Sequence, residues 1–256
     1  MPRLEAYHRD LPYSYAPGLY PCHALLSTRP GQARRLLVQT GSEGSEGVQS
    51  LIQKCAALGV RTETADRALE RISRKENCHA ALVFEKYSCT LDPSANHVVL
   101  HNPSDMGNLG TILRACLGFS LCNLAIIRPA ADVFDPRVVR ASMGALFSVN
   151  VQQWDSFDAY RAAYPCHALY PFMLEASLPL AQARKQRAMP YALIFGNEAT
   201  GLPTSFASAG TAVRIPHSDA IDSLNLAVAV SIAAYAFTQE DETGGPLLPC
   251  KRGGEK

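Results

Sequence analysis

Residues 97–114 read His97-Val98-Val99-Leu100-His101-Asn102-Pro103-Ser104-Asp105-Met106-Gly107-Asn108-Leu109-Gly110-Thr111-Ile112-Leu113-Arg114. An apolar run of strand length is followed by a Pro, Ser, Asp and Gly turn and then by a stretch with helical apolar spacing. That is a strand, a loop and a helix in succession. The pattern then repeats. Strands are expected at 123–127, 148–153, 169–173, 191–195 and 212–215, alternating with helices at 109–117, 136–146, 156–163, 179–187 and 223–239. Strands alternating with helices imply an α/β fold with a parallel sheet, whose ligands bind at the carboxyl ends of the strands.

Upstream, a strand at 36–39, a Gly- and Ser-rich turn at 41–47, a helix at 48–58, a strand at 60–64, a helix at 66–73 and a strand at 80–87 predict a small αβ unit. Residues 1–30, rich in Tyr, Pro and Gly, read as an extended arm, and residues 91–96 as a linker. The organisation expected is an arm at 1–30, an αβ domain at 31–90, the linker, a main domain at 97–239 and a disordered tail at 240–256.

The 256 residues are 47% hydrophobic and 18% charged, the composition of a globular protein, which rules out wholesale disorder. The most apolar stretch, 224–237, is shorter than the roughly 20 residues that span a bilayer. Residues 1–10 contain no apolar core of a secretory signal, so the expected location is the cytoplasm. The eight cysteines are scattered without a CxxC, so reduced thiols are expected and a zinc site is not. A net charge of +1 does not announce a nucleic-acid binder; Arg34-Arg35 and the cluster Arg71, Arg74 and Lys75 read first as a solvated face, with phosphate contact as the alternative.

Three loops carry the candidate chemistry. In the first, Gly107 and Gly110 permit close backbone approach beside a helix N-terminus, with Asn108 and Arg114 near it. The second is Leu193-Ile194-Phe195-Gly196-Asn197-Glu198-Ala199-Thr200-Gly201-Leu202, which puts a carboxylate at the tip of a buried strand. In the third, Arg214-Ile215-Pro216-His217-Ser218-Asp219-Ala220-Ile221-Asp222-Ser223-Leu224-Asn225 leads into an apolar last helix, with Asp222 or Ser223 expected to cap it and with Ser223 and Asn225 open to a capping role alone. His217 reads as a loop residue open to a ligand contact. Neither a dinucleotide GxGxxG nor a phosphate-loop GK[ST] is present, which disfavours a general nucleotide-binding enzyme.

In order and spacing, Asn108-x-Gly110-x-x-x-Arg114, Gly196-x-Glu198-x-x-Gly201-Leu202, and Ile215-Pro216 with Ser223-Leu224-Asn225 resemble the three motifs of the SpoU/TrmH family of RNA ribose 2'-O-methyltransferases, in the SPOUT superfamily. Arg140-Ala141-Ser142-Met143-Gly144-Ala145-Leu146 is similar to that family's intervening segment. The resemblance implies a SPOUT-type domain with a deep trefoil knot, preceded by a small αβ domain that recognises RNA. It implies S-adenosylmethionine held by Leu174, Phe195, Gly196, Gly201, Ile215 and Leu224, and catalysis by Asn108, Arg114, Glu198, Ser223 and Asn225. It also implies a tRNA or rRNA substrate, a homodimer, and no membrane. Gly196 is expected to lack a side chain so that the cofactor fits. Arginine stays protonated, so Arg114 is expected to clamp a phosphate and stabilise alkoxide charge and not to act as a base. His217-Ser218-Asp219 stands where the family more usually has Met-x-Gly. The alternative is a SPOUT-fold RNA-binding or assembly protein without turnover.

Overall fold

The computed structural model describes residues 4–73 and 78–239. Arg74, Lys75 and the tail at 240–256 lie outside the described residues. The elements in chain order are β1 (Tyr13–Pro17), α1 (Leu19–Thr28), β2 (Ala33–Val38), α2 (Glu46–Ala57), β3 (Arg61–Thr64), α3 (Asp66–Ser73), β4 (Ala80–Glu85), β5 (His97–His101), α4 (Met106–Gly118) and β6 (Asn123–Ile127). They continue with α5 (Pro136–Ala141), β7 (Asn150–Trp154), α6 (Phe157–Ala163), β8 (Ala168–Pro171), β9 (Leu178–Pro179), α7 (Leu180–Lys185), β10 (Tyr191–Phe195), β11 (Val213–Arg214) and α8 (Leu226–Thr238).

The chain divides into two compact units, residues 1–87 with 132–148, and residues 88–131 with 149–256. In the first, a four-stranded sheet has the order β1-β4-β2-β3, with β4 antiparallel to both neighbours and β2 parallel to β3. Residues 1–30 are therefore not an extended arm. Tyr15 and Ala16 are fully buried on β1, which pairs with β4 from Tyr13 opposite Glu85 to Pro17 opposite Ala81. Pro21 obscured α1 in the sequence, yet it falls in the first turn, where its missing N–H breaks no helical bond. Residues 132–148 also leave the expected main domain: α5 packs on β1, and the Ser14 hydroxyl donates to the Phe134 carbonyl.

The second unit is the α/β core, a five-stranded parallel sheet in the order β7-β6-β5-β10-β8. Its strands are apolar because both faces are covered: every residue of β6 and of β10 is buried. The centre of the order is a switch point. From β5 the chain runs outward on one side to β6 and β7, while β10 lies on the other side, so the loops leaving β5 and β10 part company above a crevice. Beside β8, Val213 bridges Phe172 and β11 pairs in parallel with β9. The last helix, α8, lies against α4, α7 and β10.

Cys22, Cys55, Cys78, Cys89, Cys116 and Cys166 are free thiols, while Cys122 is disulfide-bonded and departs from the expectation of reduced cysteines. Among the described residues no cluster of His, Cys, Asp or Glu is arranged to hold a metal, and no helix is long and apolar enough to cross a membrane.

Candidate active site

The loop leaving β10 is a tight reversal. Asn197 and Gly201 exchange two backbone hydrogen bonds, at 3.2 and 2.9 Å. Gly201 takes φ +66°, a conformation that favours glycine. The Asn197 side-chain oxygen accepts from the N–H groups of Ala199 at 2.9 Å and Thr200 at 3.3 Å, fixing the turn from inside. Gly196 is required for a different reason from the one the sequence suggested. A Cβ there would stand 2.1 Å from the Gly201 carbonyl carbon and 2.3 Å from the Leu202 nitrogen, so it would strike the chain's own backbone.

Glu198, held at the tip of that reversal, binds the loop leaving β5. Its Oε2 accepts from the Ser104 N–H at 3.1 Å, the Ser104 hydroxyl at 2.9 Å and the Asn197 amide at 3.3 Å. Its Oε1 accepts from the Asp105 N–H at 3.0 Å and, more weakly, the Asn108 amide at 3.4 Å. Partial burial by itself raises the Glu198 pKa. Donors from its own N–H, the Ser104 and Asp105 N–H groups and the Ser104 hydroxyl outweigh that and hold it below the usual carboxylate range. The carboxylate is therefore ionised and fully engaged, an anchor between two loops 94 residues apart in sequence. Asn197 strengthens the junction by donating to the Asn102 carbonyl at 2.8 Å.

Two helix starts converge on this anchor. Asp105 caps α4 by accepting from the Asn108 N–H at 2.7 Å, which brings the Asn108 side chain to Glu198. On α8 the cap is Asn225, not Asp222 or Ser223. Its oxygen accepts from the N–H groups of Ala227 at 2.9 Å and Val228 at 3.3 Å. Asn225 has the advantage over both that its amide nitrogen also donates to the Asn108 oxygen at 3.0 Å. A relay runs from Asn225 through Asn108 to Glu198.

Below the relay is a cleft of about 390 Å³. Leu174, Phe195, Gly196, Gly201, Ile215 and Leu224, the six residues expected at the cofactor, all line it. So do Asn108, Glu198, Ser223 and Asn225. Arg114 does not. Six residues beyond Asn108, it is turned about 120° round the helix, and it is exposed without a hydrogen-bond or ion-pair partner among the described residues. Sequence reading missed Ser104 and Asn197, whose roles depend on contacts across more than 90 residues. Phe172, on the strand end that the resemblance implies as a wall of the cofactor site, stacks on Phe195 at 4.5 Å in the cleft wall. His217 also lines the cleft.

The comparisons with known proteins agree on one family. The model of the SpoU rRNA Methylase family matches residues 95–235. The chain is 29% identical to the tRNA (cytidine/uridine-2'-O-)-methyltransferase TrmJ of Yersinia enterocolitica, over 59% of this chain and 64% of that one. It is also 29% identical to the 23S rRNA (uridine(2479)-2'-O)-methyltransferase of Streptomyces viridochromogenes, over 57% of this chain and 53% of that one. The crystal structure of the AdoMet-bound rRNA methyltransferase from Sinorhizobium meliloti superimposes with a TM-score of 0.74 at 25% identity, covering 88% of this chain and 87% of that one.

Proposed function

The chain belongs to the SpoU rRNA Methylase family, and from that premise we propose that it transfers a methyl group from S-adenosylmethionine to a ribose 2'-hydroxyl of tRNA or rRNA. The observation that carries this reading is the cleft at the switch point of the parallel sheet, where all six expected cofactor residues meet the Asn225, Asn108 and Glu198 relay. Its volume lies within the roughly 300 to 1,000 Å³ of small-molecule sites. The cleft fits the cofactor chemically as well. Phe172, Leu174, Ile215 and Leu224 give an apolar wall for a flat base, and the amides and Glu198 give a polar rim. The bound cofactor supplies a methyl group activated by a positively charged sulfur.

The chain's own residues do the positioning. Glu198 locks the β5 and β10 loops so that the rim does not have to reorganise during transfer, which is the basis of preorganised catalysis. Asn108 and Asn225 orient the acceptor ribose, and Ser223 offers a hydroxyl in the cleft lining. Arg114 holds an RNA phosphate and offsets charge developing on the attacking oxygen.

Because Arg114 points away from its own chain's cleft, a homodimer in which a second copy supplies it completes the site. Support comes from α8, which leaves Val228 and Tyr235 exposed, the latter against Phe119 on the adjoining α4 end. The trefoil knot is part of the same reading. It is supported by the tight passage of residues 210–213 past β8, where a Cβ on Gly210 would stand 2.2 Å from the Leu169 carbonyl oxygen and where Met173 bonds to Val213. The unit built on β1 to β4 recognises the RNA, and the cytoplasm is where the protein meets it.

The test is transfer of labelled methyl from S-adenosylmethionine to total RNA of cells lacking this protein. Wild type is expected to label the RNA, and Asn108→Ala to lose most of that activity while still binding the cofactor. Cofactor binding without labelling would contradict the reading.

A further inference from the structure

The side chains of the cleft say which group takes the hydroxyl proton, a point that rests on the reading of the site as a ribose methyltransferase. Glu198, the carboxylate of the lining, has both oxygens committed to loop donors. The oxygen of Asn197 holds its own turn, that of Asn108 accepts from Asn225, and that of Asn225 caps α8; none is basic. Ser223 and Thr200 offer only neutral hydroxyls, and Arg214 is a cation. His217 remains.

Its orientation is fixed by one bond. His217 Nδ1 lies 2.9 Å from the Ile215 carbonyl oxygen, which can only accept, so Nδ1 carries the ring proton. In the neutral ring Nε2 is then a bare acceptor. The intervening Pro216, with its restricted φ, stiffens the short loop that makes this bond. We propose that His217 Nε2 is the general base of the transfer. As the bond from the ribose oxygen to the methyl carbon forms, the sulfur–methyl bond breaks and its electron pair neutralises the sulfonium. The hydroxyl proton passes to Nε2, giving an imidazolium that solvent later deprotonates. The charged groups lining the same cleft are Glu198 and Arg214, and Asp219 and Asp222 flank His217 on its own loop.

Two measurements test this. In the cofactor-free protein, nitrogen NMR of labelled histidine, assigned by loss of the signal in His217→Asn, is expected to show a neutral ring protonated at Nδ1 and bare at Nε2. The reverse tautomer would overturn the proposal. Initial rates at saturating S-adenosylmethionine, on RNA that wild type methylates, are expected to fall by about 10²- to 10⁴-fold in both His217→Asn and His217→Met, with cofactor affinity by calorimetry unchanged. Asn retains a donor for the Ile215 carbonyl and Met retains bulk, so a purely structural role predicts near-normal rates in at least one. Variants with the wild-type rate, or with rate and cofactor affinity lost in parallel, overturn the proposal and leave the methyltransferase reading standing. Failure of wild type to methylate RNA would overturn both.

Discussion

A single carboxylate organises the site, and its behaviour separates anchoring from proton transfer. Glu198→Gln keeps the size of the side chain but turns an amide toward N–H groups that need an acceptor. The expected cost is about 1 to 3 kcal/mol of stability, read by urea unfolding, with a loss of methyl transfer. Gly196→Ala is expected to weaken cofactor binding in calorimetry, because the added carbon displaces the Gly201 and Leu202 backbone before it meets any ligand. Glu198 and Gly196 were legible in the sequence as an acidic residue and a glycine at the tip of a strand. Their physical roles were not, since Ser104 and the folded-back Gly201 backbone are brought to them only by tertiary structure.

Among the elements, α8 shows how one residue serves fold and site together. The Asn225 oxygen caps the helix and its nitrogen holds Asn108. Asn225→Ala is expected to lower stability by about 0.5 to 2 kcal/mol and to lose activity. Asn225→Asp keeps an acceptor for the cap and loses the donor, so its thermal midpoint is expected to stay near wild type while methyl transfer falls. Equal stability losses in both variants would contradict this division. The apolar run of α8 was readable as a buried helix, but its start was not: Asp222, Ser223 and Asn225 are all good caps, and the contact with Asn108 favours the third. Strands such as β5, β6 and β10 matched their expected bounds because continuous apolar runs leave little choice. Helix α1 was hidden by Pro21, whose position in the first turn is visible only once the turn exists.

At the scale of the whole molecule, alternation of strands and helices revealed the parallel sheet, while its order, and with it the crevice between the β5 and β10 loops, depended on contacts no local pattern records. The sheet also carries a pH dependence. At the start of β5, His97 is fully buried, with Nδ1 2.9 Å from the Tyr160 hydroxyl and Nε2 2.9 Å from the Asp92 carbonyl. Burial, with the neighbouring His167 adding to it, pushes its pKa down to about 4. An unfolded histidine titrates near about 6.5, so below that pH the unfolded chain binds a proton that the native chain refuses. Stability is therefore expected to be full above that range and to fall as pH drops toward about 4. His97→Gln is expected to flatten that slope in urea unfolding, and an unchanged slope would contradict the assignment.

The central claim is that the acceptor is a ribose oxygen, and alkali tests it most directly, because RNA cleavage by base uses the 2'-hydroxyl as nucleophile and a methyl group there blocks it. After transfer of labelled methyl by the wild-type protein and complete alkaline hydrolysis, the label is expected in dinucleotides that resist cleavage. Label released entirely in mononucleotides would place the methyl on a base and contradict the assignment.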